Sequence, residues 1–297
     1  GLDGCAKGDR LRSTRAKGWI MRIAALTMVY NEPVWARVWV RHYARQVGAE
    51  HCLVLDHGST DGSTDGLGVA VERMRRSALD EDARAVVVSD CVRALLQRYD
   101  AVVHTDADEL LVADPLHYAD LTAYAADAPV VATAVGLDLQ HLPDEEAALD
   151  AGRPLGSQRR WVRFSAAMCK PALVRAPVQW RPGFHSCDAR RETGPLFLLH
   201  LRYADLGIGL ARLGRTRTQA FARNDVNPHQ RVADEEFAVM VRAIGRLPKV
   251  GGDLRPDGAL IAPWMERMRA GWSCGDDQLS LAGDRLWSLP DDILALL

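Results

Sequence analysis

Short apolar runs recur through the first third of the chain, separated by helical or turn-rich segments. "MRIAALTMVY" (21–30), "HCLVLD" (51–56), "ARAVVVSD" (83–90) and "AVVHTD" (101–106) show little polar alternation. Strands buried on both faces of a parallel sheet read this way. One strand roughly every 20–30 residues, with helical segments between, predicts βαβ units and a mainly parallel sheet flanked by helices. Right-handed crossovers return each strand in the same direction, so the strand C-termini share one edge. Ligands of open α/β sheets bind in the crevice beyond that edge. Tyr30, Asn31, Asp56 and Asp106 are all predicted to stand there.

The intervening segments support this reading. In "NEPVWARVWVRHYARQVG" (31–48), Trp35, Trp39, Tyr43 and Val47 recur every four residues and make one helical face. Pro33 suits the first turn and Gly48 the C-terminal end. "HGSTDGSTDG" (57–66) is dense in turn formers and reads as a loop. Residues 67–79 read as moderately helical, and 91–99 as a short helix. Further on, a helix is expected within 115–126 and strands at 130–137, 171–177 and 195–203. Residues 138–160 read as loop. The pattern turns helical from 204, and 250–297 reads as an irregular covering segment. The expected organisation is a loose leader (1–20), a core (21–203) and a mostly helical C-terminal segment (204–297).

Composition narrows the function classes. A length of 297 residues with 48% hydrophobic residues suffices for one large α/β domain. A net charge of −2 lacks the basic field of a nucleic-acid binder. None of the six cysteines forms a C-x-x-C pair, so reduced thiols in a cytoplasmic protein are expected rather than a disulfide framework or a zinc site. No apolar run approaches the ~20 residues of a membrane span.

The segment "HTDADELL" (104–111) crowds Asp106, Asp108 and Glu109 after a buried strand. In an extended chain Asp106 and Asp108 project to the same side. A divalent cation would relieve their repulsion, and oxygen ligands favour Mg²⁺ or Mn²⁺. The plainer alternative is a solvated loop whose acids cap the next turn. Glu109 either orients the waters of such a metal or accepts backbone N–H groups. His200 ends the apolar run "PLFLL", and His185 stands in a Pro/Gly turn. Arginines cluster at 159, 160 and 163 and at 212, 215 and 217, as a phosphate clamp or as solvated surface.

"YDAVVHTDADELL" (99–111) resembles the "YDWVLxxDADEF" segment of family 2-like glycosyltransferases with the GT-A fold, in their DxDE-type branch. "LTMVYNEPVWARVWVRHYARQVGAEHCLVLDHGSTDGS" (26–63) is similar to that family's opening, and "HLRY" (200–203) resembles its late histidine element. The resemblance covers roughly 21–203. It implies a GT-A-like fold and a transferase moving a sugar from a UDP- or GDP-sugar to an acceptor hydroxyl of a sugar, glycan or small molecule, with inversion. It implies that Asp106 and Asp108 hold Mn²⁺ or Mg²⁺ against the donor diphosphate, with His200 as third ligand. Thr27, Val29 and Glu32 would line the donor pocket, and Asp56 would contact the nucleoside. His57 stands where many relatives carry a second acid. The general base would be Asp188, or Glu192 behind it.

Three rival readings remain at this level. A haloacid dehalogenase-like phosphatase or phosphotransferase would use Asp106 as nucleophile. Its motif normally ends in Thr or Val near the chain start, whereas Glu109 follows here. A nucleotidyltransferase would want a glycine-rich loop after the first strand, and "YNEPVW" has no glycine. A catalytically inactive binding module is the third.

Overall fold

The computed structural model describes residues 21–222, 231–252, 254–256, 258–273 and 280–297. The leader at 1–20 lies outside the described residues. The first apolar run forms β1 (Ile23–Val29), buried along its whole length. Beside it runs β2 (Cys52–Asp56), and beyond that β3 (Ala70–Arg73). On the other side β1 pairs with β4 (Ala101–His104). All three pairings are parallel.

The lack of polar alternation in β1 has a direct cause. Ile23, Ala25 and Val29 pack in one cluster with Trp35, Trp39 and Tyr43 of helix α1 (Trp35–Val47). The alternate residues Ala24, Leu26 and Met28 pack with Ala85, Val88 and Val92 of α2 (Glu81–Leu95). The two helices therefore cover opposite faces, and the apolar side chains of β1 meet apolar neighbours on both. Gly48 ends α1 with a φ of +94°, which favours glycine.

Two expected elements differ. "ARAVVVSD" is not a strand, and no helix boundary falls at Cys91; both belong to the single helix α2. Asp80 caps it, accepting from the backbone N–H groups of Asp82 and Ala83. Its buried positions, Ala85, Val88, Ser89 and Val92, follow helical spacing, while Val86 faces solvent. The cap and the single apolar face override the strand preference of three consecutive valines. The third strand of the sheet is instead β3, in the segment expected to be helical. It is an edge strand, mostly exposed, so it lacks the apolar signature.

Beyond β4 the sheet becomes mixed. β5 (Glu109–Ala113) follows the acid turn, then helix α3 (Leu121–Asp127) and β6 (Val131–Leu139). β7 (Trp161–Phe164) and β8 (Pro171–Val174) are both antiparallel to β6, and β8 closes on β4. β9 (Glu192–His200) runs antiparallel to β5 and parallel to β6. Helices α4 (Leu206–Arg217) and α5 (Asp234–Gly245) follow, then β10 (Lys249–Val250), α6 (Ala262–Ser273), β11 (Leu286–Ser288) and α7 (Asp291–Leu294). The fold is α/β, with a parallel set β3–β2–β1–β4 inside a central sheet flanked by helices.

The C-terminal part is more ordered than its composition suggests. β11 pairs with β7, and β10 extends the sheet beyond it. Met265, Met268, Trp287 and Ile293 share one core cluster with Leu137 and Phe164, so residues before and after 204 bury a common interior. Cys52, Cys91, Cys169 and Cys187 are free thiols. Among the described residues no helix is long and apolar enough to cross a membrane.

Candidate active site at the strand ends

Between β4 and β5 the chain does not stay extended. The Glu109 N–H donates to the Asp106 carbonyl at 3.0 Å, and the Asp106 N–H donates to Glu109 Oε2 at 3.1 Å. The extended geometry behind the expected same-side projection of Asp106 and Asp108 is therefore replaced by a turn. A turn is needed because β4 and β5 pair with different strands. Helix α1 holds the turn from beneath through polar tips on its apolar face. Trp39 Nε1 donates to Thr105 Oγ1 at 2.8 Å, and the Leu111 N–H donates to the Tyr43 hydroxyl at 2.9 Å.

Each acid leaving the turn meets a cation, and Asp106 and Glu109 share Lys170. Asp106 Oδ1 lies 3.1 Å from Arg84 Nη2, and its Oδ2 lies 3.2 Å from Lys170 Nζ. Glu109 caps the turn with one oxygen and meets Lys170 Nζ with the other at 2.6 Å. Asp108 accepts a forked pair from Arg212, with Nη2 at 3.0 Å from Oδ1 and Nη1 on Oδ2. His200 Nε2 is 3.3 Å from the same Oδ2. The other ring nitrogen, Nδ1, is 2.7 Å from Asp138 Oδ1. Sheet register explains this row, since His200 stands opposite Glu109 on β5 and opposite Asp138 on β6.

These contacts set the charge states. Burial works against ionisation of Asp106, but Lys170 and then Arg84 outweigh it and hold the carboxyl well below its usual range. Burial likewise opposes the charge on Asp108, where Arg212 and then His200 prevail. Burial would lower His200, yet its hydrogen bonds to Asp108 and Asp138 push it up to about 9. Burial also disfavours the Lys170 ammonium, and Glu109 with Asp106 holds it protonated. Asp108 and Glu109 are deep, with side chains 3% and 2% exposed, while Asp106 and Arg212 face the opening at 24% and 29%.

Other predicted positions separate into those at the site and those away from it. Glu32 is buried and joins it, its Oε2 lying 2.9 Å from Arg212 Nε and its Oε1 lying 3.4 Å from Arg215 Nη2. Thr27 and Val29 are buried within β1. Asp56 ends β2 fully buried, accepting from the Ser59 N–H at 2.7 Å and from Thr64 Oγ1 at 2.8 Å. It organises the 57–66 loop with both oxygens. Asp188 is exposed and accepts from the Gln179 N–H at 2.8 Å. Glu192 is exposed at the start of β9, roughly 26 Å along the strand from His200. Among the described residues, neither makes a hydrogen bond or ion pair with the acid cluster. His185 binds the Ala167 carbonyl through Nδ1 at 2.6 Å, and burial pushes it down to about 4.

The first arginine cluster is scaffold rather than clamp. Arg159 is buried, donating to the Ala204 carbonyl at 2.7 Å and pairing with Asp205, the N-cap of α4. Arg160 pairs with Asp291, and Arg163 donates to the Gly283 carbonyl. Of the second cluster, Arg212 and Arg215 reach the site, while Arg217 turns to Asp234.

The sequence reading missed Arg84, Asp138 and Lys170. Lys170 offered one signal: it is one of only four lysines in a chain otherwise rich in arginine, and it stands directly before an apolar strand. Asp138 and Arg84 offered none, since each meets the site through tertiary packing.

Among the described residues, no three His, Cys, Asp or Glu side chains gather as a protein cage for a metal. The donors that do converge are the Asp108 carboxylate and His200 Nε2, with Asp138 behind the ring. Metal-binding histidines commonly pass their second N–H to such a carboxylate. Mg²⁺ commonly takes one or two carboxylates and fills its shell with water and substrate phosphates. With its value raised to about 9, Nε2 carries a proton toward Asp108, so His200 would hold an ion only after giving that proton up; on that condition the residues present fit an ion that brings most of its own ligands.

No family profile and no curated sequence matches the chain. Among solved structures it is similar to a mannosyltransferase from Pyrobaculum calidifontis in complex with GDP-Man and Mn²⁺, at 17% identity over 42% of this chain and 36% of that one, TM-score 0.25. It is also similar to glucosyl-3-phosphoglycerate synthase from Mycobacterium tuberculosis, at 18% identity over 30% of this chain and 34% of that one, TM-score 0.21. A third is a mannose-1-phosphate geranyltransferase from Thermus thermophilus, at 12% identity over 76% of this chain and 67% of that one, TM-score 0.29. The matches to the first two span about a third of their own length.

Proposed function

We propose that this chain is a metal-dependent glycosyltransferase of the GT-A type, using a UDP- or GDP-sugar and an acceptor hydroxyl, with inversion. The observation that supports it is the meeting of Asp108 with His200, backed by Asp138, at the edge where the parallel strands end. Asp106 stands beside them at the opening.

In this reading Asp108 and His200 would hold Mn²⁺ or Mg²⁺, with Asp106 reaching its shell. A bound ion would supply Lewis-acid stabilisation of the charge that builds on the leaving diphosphate. Asp138 fixes the His200 ring so that Nε2 faces Asp108. Lys170 and Arg84 hold Asp106 ionised and in place. Glu109 keeps the turn closed. Inversion needs a general base at the acceptor hydroxyl. Asp188 and Glu192 stand outside the cluster, so the base is left unassigned. No observation favours Asp106 as a phosphatase nucleophile.

Calorimetry with UDP- and GDP-sugars tests the proposal. One of them is expected to bind roughly tenfold or more tightly with Mn²⁺ than with EDTA, since an ion held by Asp108 and His200 would supply positive charge to the donor phosphates. Equal affinity for every donor in both conditions would sink it. Asp138→Asn should weaken Mn²⁺ binding in the presence of UDP by about tenfold or more, the usual cost of removing such a backing carboxylate. The melting temperature of that variant should change little. Unchanged metal affinity would remove Asp138 from the site.

A further inference from the structure

Arg212 holds a position that a divalent ion would contest. Its fork takes both oxygens of Asp108, and its Nε takes Glu32 Oε2 at 2.9 Å. Arg215, one turn later on α4, reaches the other oxygen of Glu32 at 3.4 Å. Asp108 is thus neutralised by the protein itself.

Arg212 already takes both oxygens of that carboxylate and His200 one of them, so a further cation beside the guanidinium would meet strong repulsion. A metal binding Asp108 must displace at least one arm of the fork. The displaced guanidinium would not leave the site, because Nε remains on buried Glu32. It also stands toward solvent, with 29% of its side chain exposed. A diphosphate arriving with the metal presents phosphate oxygens at that opening, and the planar fork of arginine matches such oxygens.

Resting on the glycosyltransferase reading, we propose that Arg212 exchanges between Asp108 and the donor diphosphate. Without donor it occupies the carboxylate and keeps a free metal ion out. With donor it releases Asp108 to the metal and clamps the diphosphate. Metal and diphosphate then bind as one unit, and neither binds well alone.

The two roles predict effects of opposite sign in one variant. The experiment titrates Mn²⁺ alone, then inorganic pyrophosphate at saturating Mn²⁺, into wild type, Arg212→Met and Arg212→Lys. Calorimetry gives the affinities and thermal melts confirm folding. Arg212→Met keeps the aliphatic stem and loses the charge. It should bind Mn²⁺ alone roughly tenfold or more tightly, and pyrophosphate roughly tenfold or more weakly, as expected for one charge-assisted hydrogen-bond pair. Arg212→Lys keeps a blocking charge without the fork. It should hold Mn²⁺ as weakly as wild type while still losing pyrophosphate affinity.

If Arg212→Met weakens or leaves unchanged the binding of Mn²⁺ alone, the exchange is wrong, although the glycosyltransferase reading survives wherever wild type binds Mn²⁺ with pyrophosphate. If Arg212→Met melts early, Arg212→Lys decides, and retention of full pyrophosphate affinity there overturns the clamp. If no form binds Mn²⁺ even with pyrophosphate, the metal-dependent reading falls and the exchange with it.

Discussion

Asp108→Asn is expected to lower sugar transfer by about 10²–10³-fold or more, the scale seen when a group stabilising transition-state charge is removed. The substitution keeps the side chain's shape and one carbonyl oxygen, so Arg212 retains an acceptor. It removes the charge that would anchor the metal and leaves His200 facing a neutral amide. The fold should survive, because Asp108 sits in the turn after β4 and the turn is closed by Asp106 and Glu109, not by the Asp108 side chain. Product formation from the donor identified by calorimetry measures the first effect, and circular dichroism melting measures the second. Turnover within about tenfold of wild type would contradict a metal role for Asp108.

Lys170→Ala should have the largest effect on stability. The ammonium is 7% exposed and lies 2.6 Å from Glu109, which is 2% exposed, and 3.2 Å from Asp106. Removing one partner of a buried pair typically costs about 3–5 kcal/mol, because the other charge remains without compensation. For a chain of this size that is a melting temperature lower by roughly 5–8 °C.

The loss should depend on pH in a defined direction. Burial already pushes Glu109 above its ordinary value of 4.5, and Lys170 opposes that rise. Without Lys170 the folded-state pKa climbs further. A carboxyl whose folded pKa exceeds its unfolded value binds more protons when folded, so stability rises as pH falls through that window. The deficit of Lys170→Ala should therefore be largest above the raised pKa of Glu109 and shrink as pH approaches 4.5. Adding Glu109→Gln should recover part of the loss at about pH 8, which a double-mutant cycle measures. A deficit equal at about pH 5 and about pH 8 would show that the Lys170–Glu109 pair is not its source.

Much of the framework was legible before any coordinates. The places of β1, β2 and β4, the apolar face of α1 and its end at Gly48 all follow from local pattern, although β4 stops at His104, two residues before the expected end. Parallel pairing then placed Asn31, Asp56 and Asp106 at one sheet edge. The errors share a cause. Three valines in a row suggested a strand, and only the Asp80 cap with packing against Leu26 and Met28 decides for a helix. Same-side projection of Asp106 and Asp108 presupposed an extended chain, and β5 leaving to pair with β9 makes it a turn.

Local residue pattern alone specifies a parallel α/β core with acids gathered where the strands end. Buried strands need apolar residues on both faces, and that requirement is written locally. Tertiary structure alone decided how those acids are used. Lys170 comes from 61 residues beyond Glu109, and Arg212 from 104 residues beyond Asp108. Asp138 reaches His200 across 62 residues through the register of β6 against β9. Charge neutralisation acts through space over a few ångströms, so its partners leave no periodic trace along the chain.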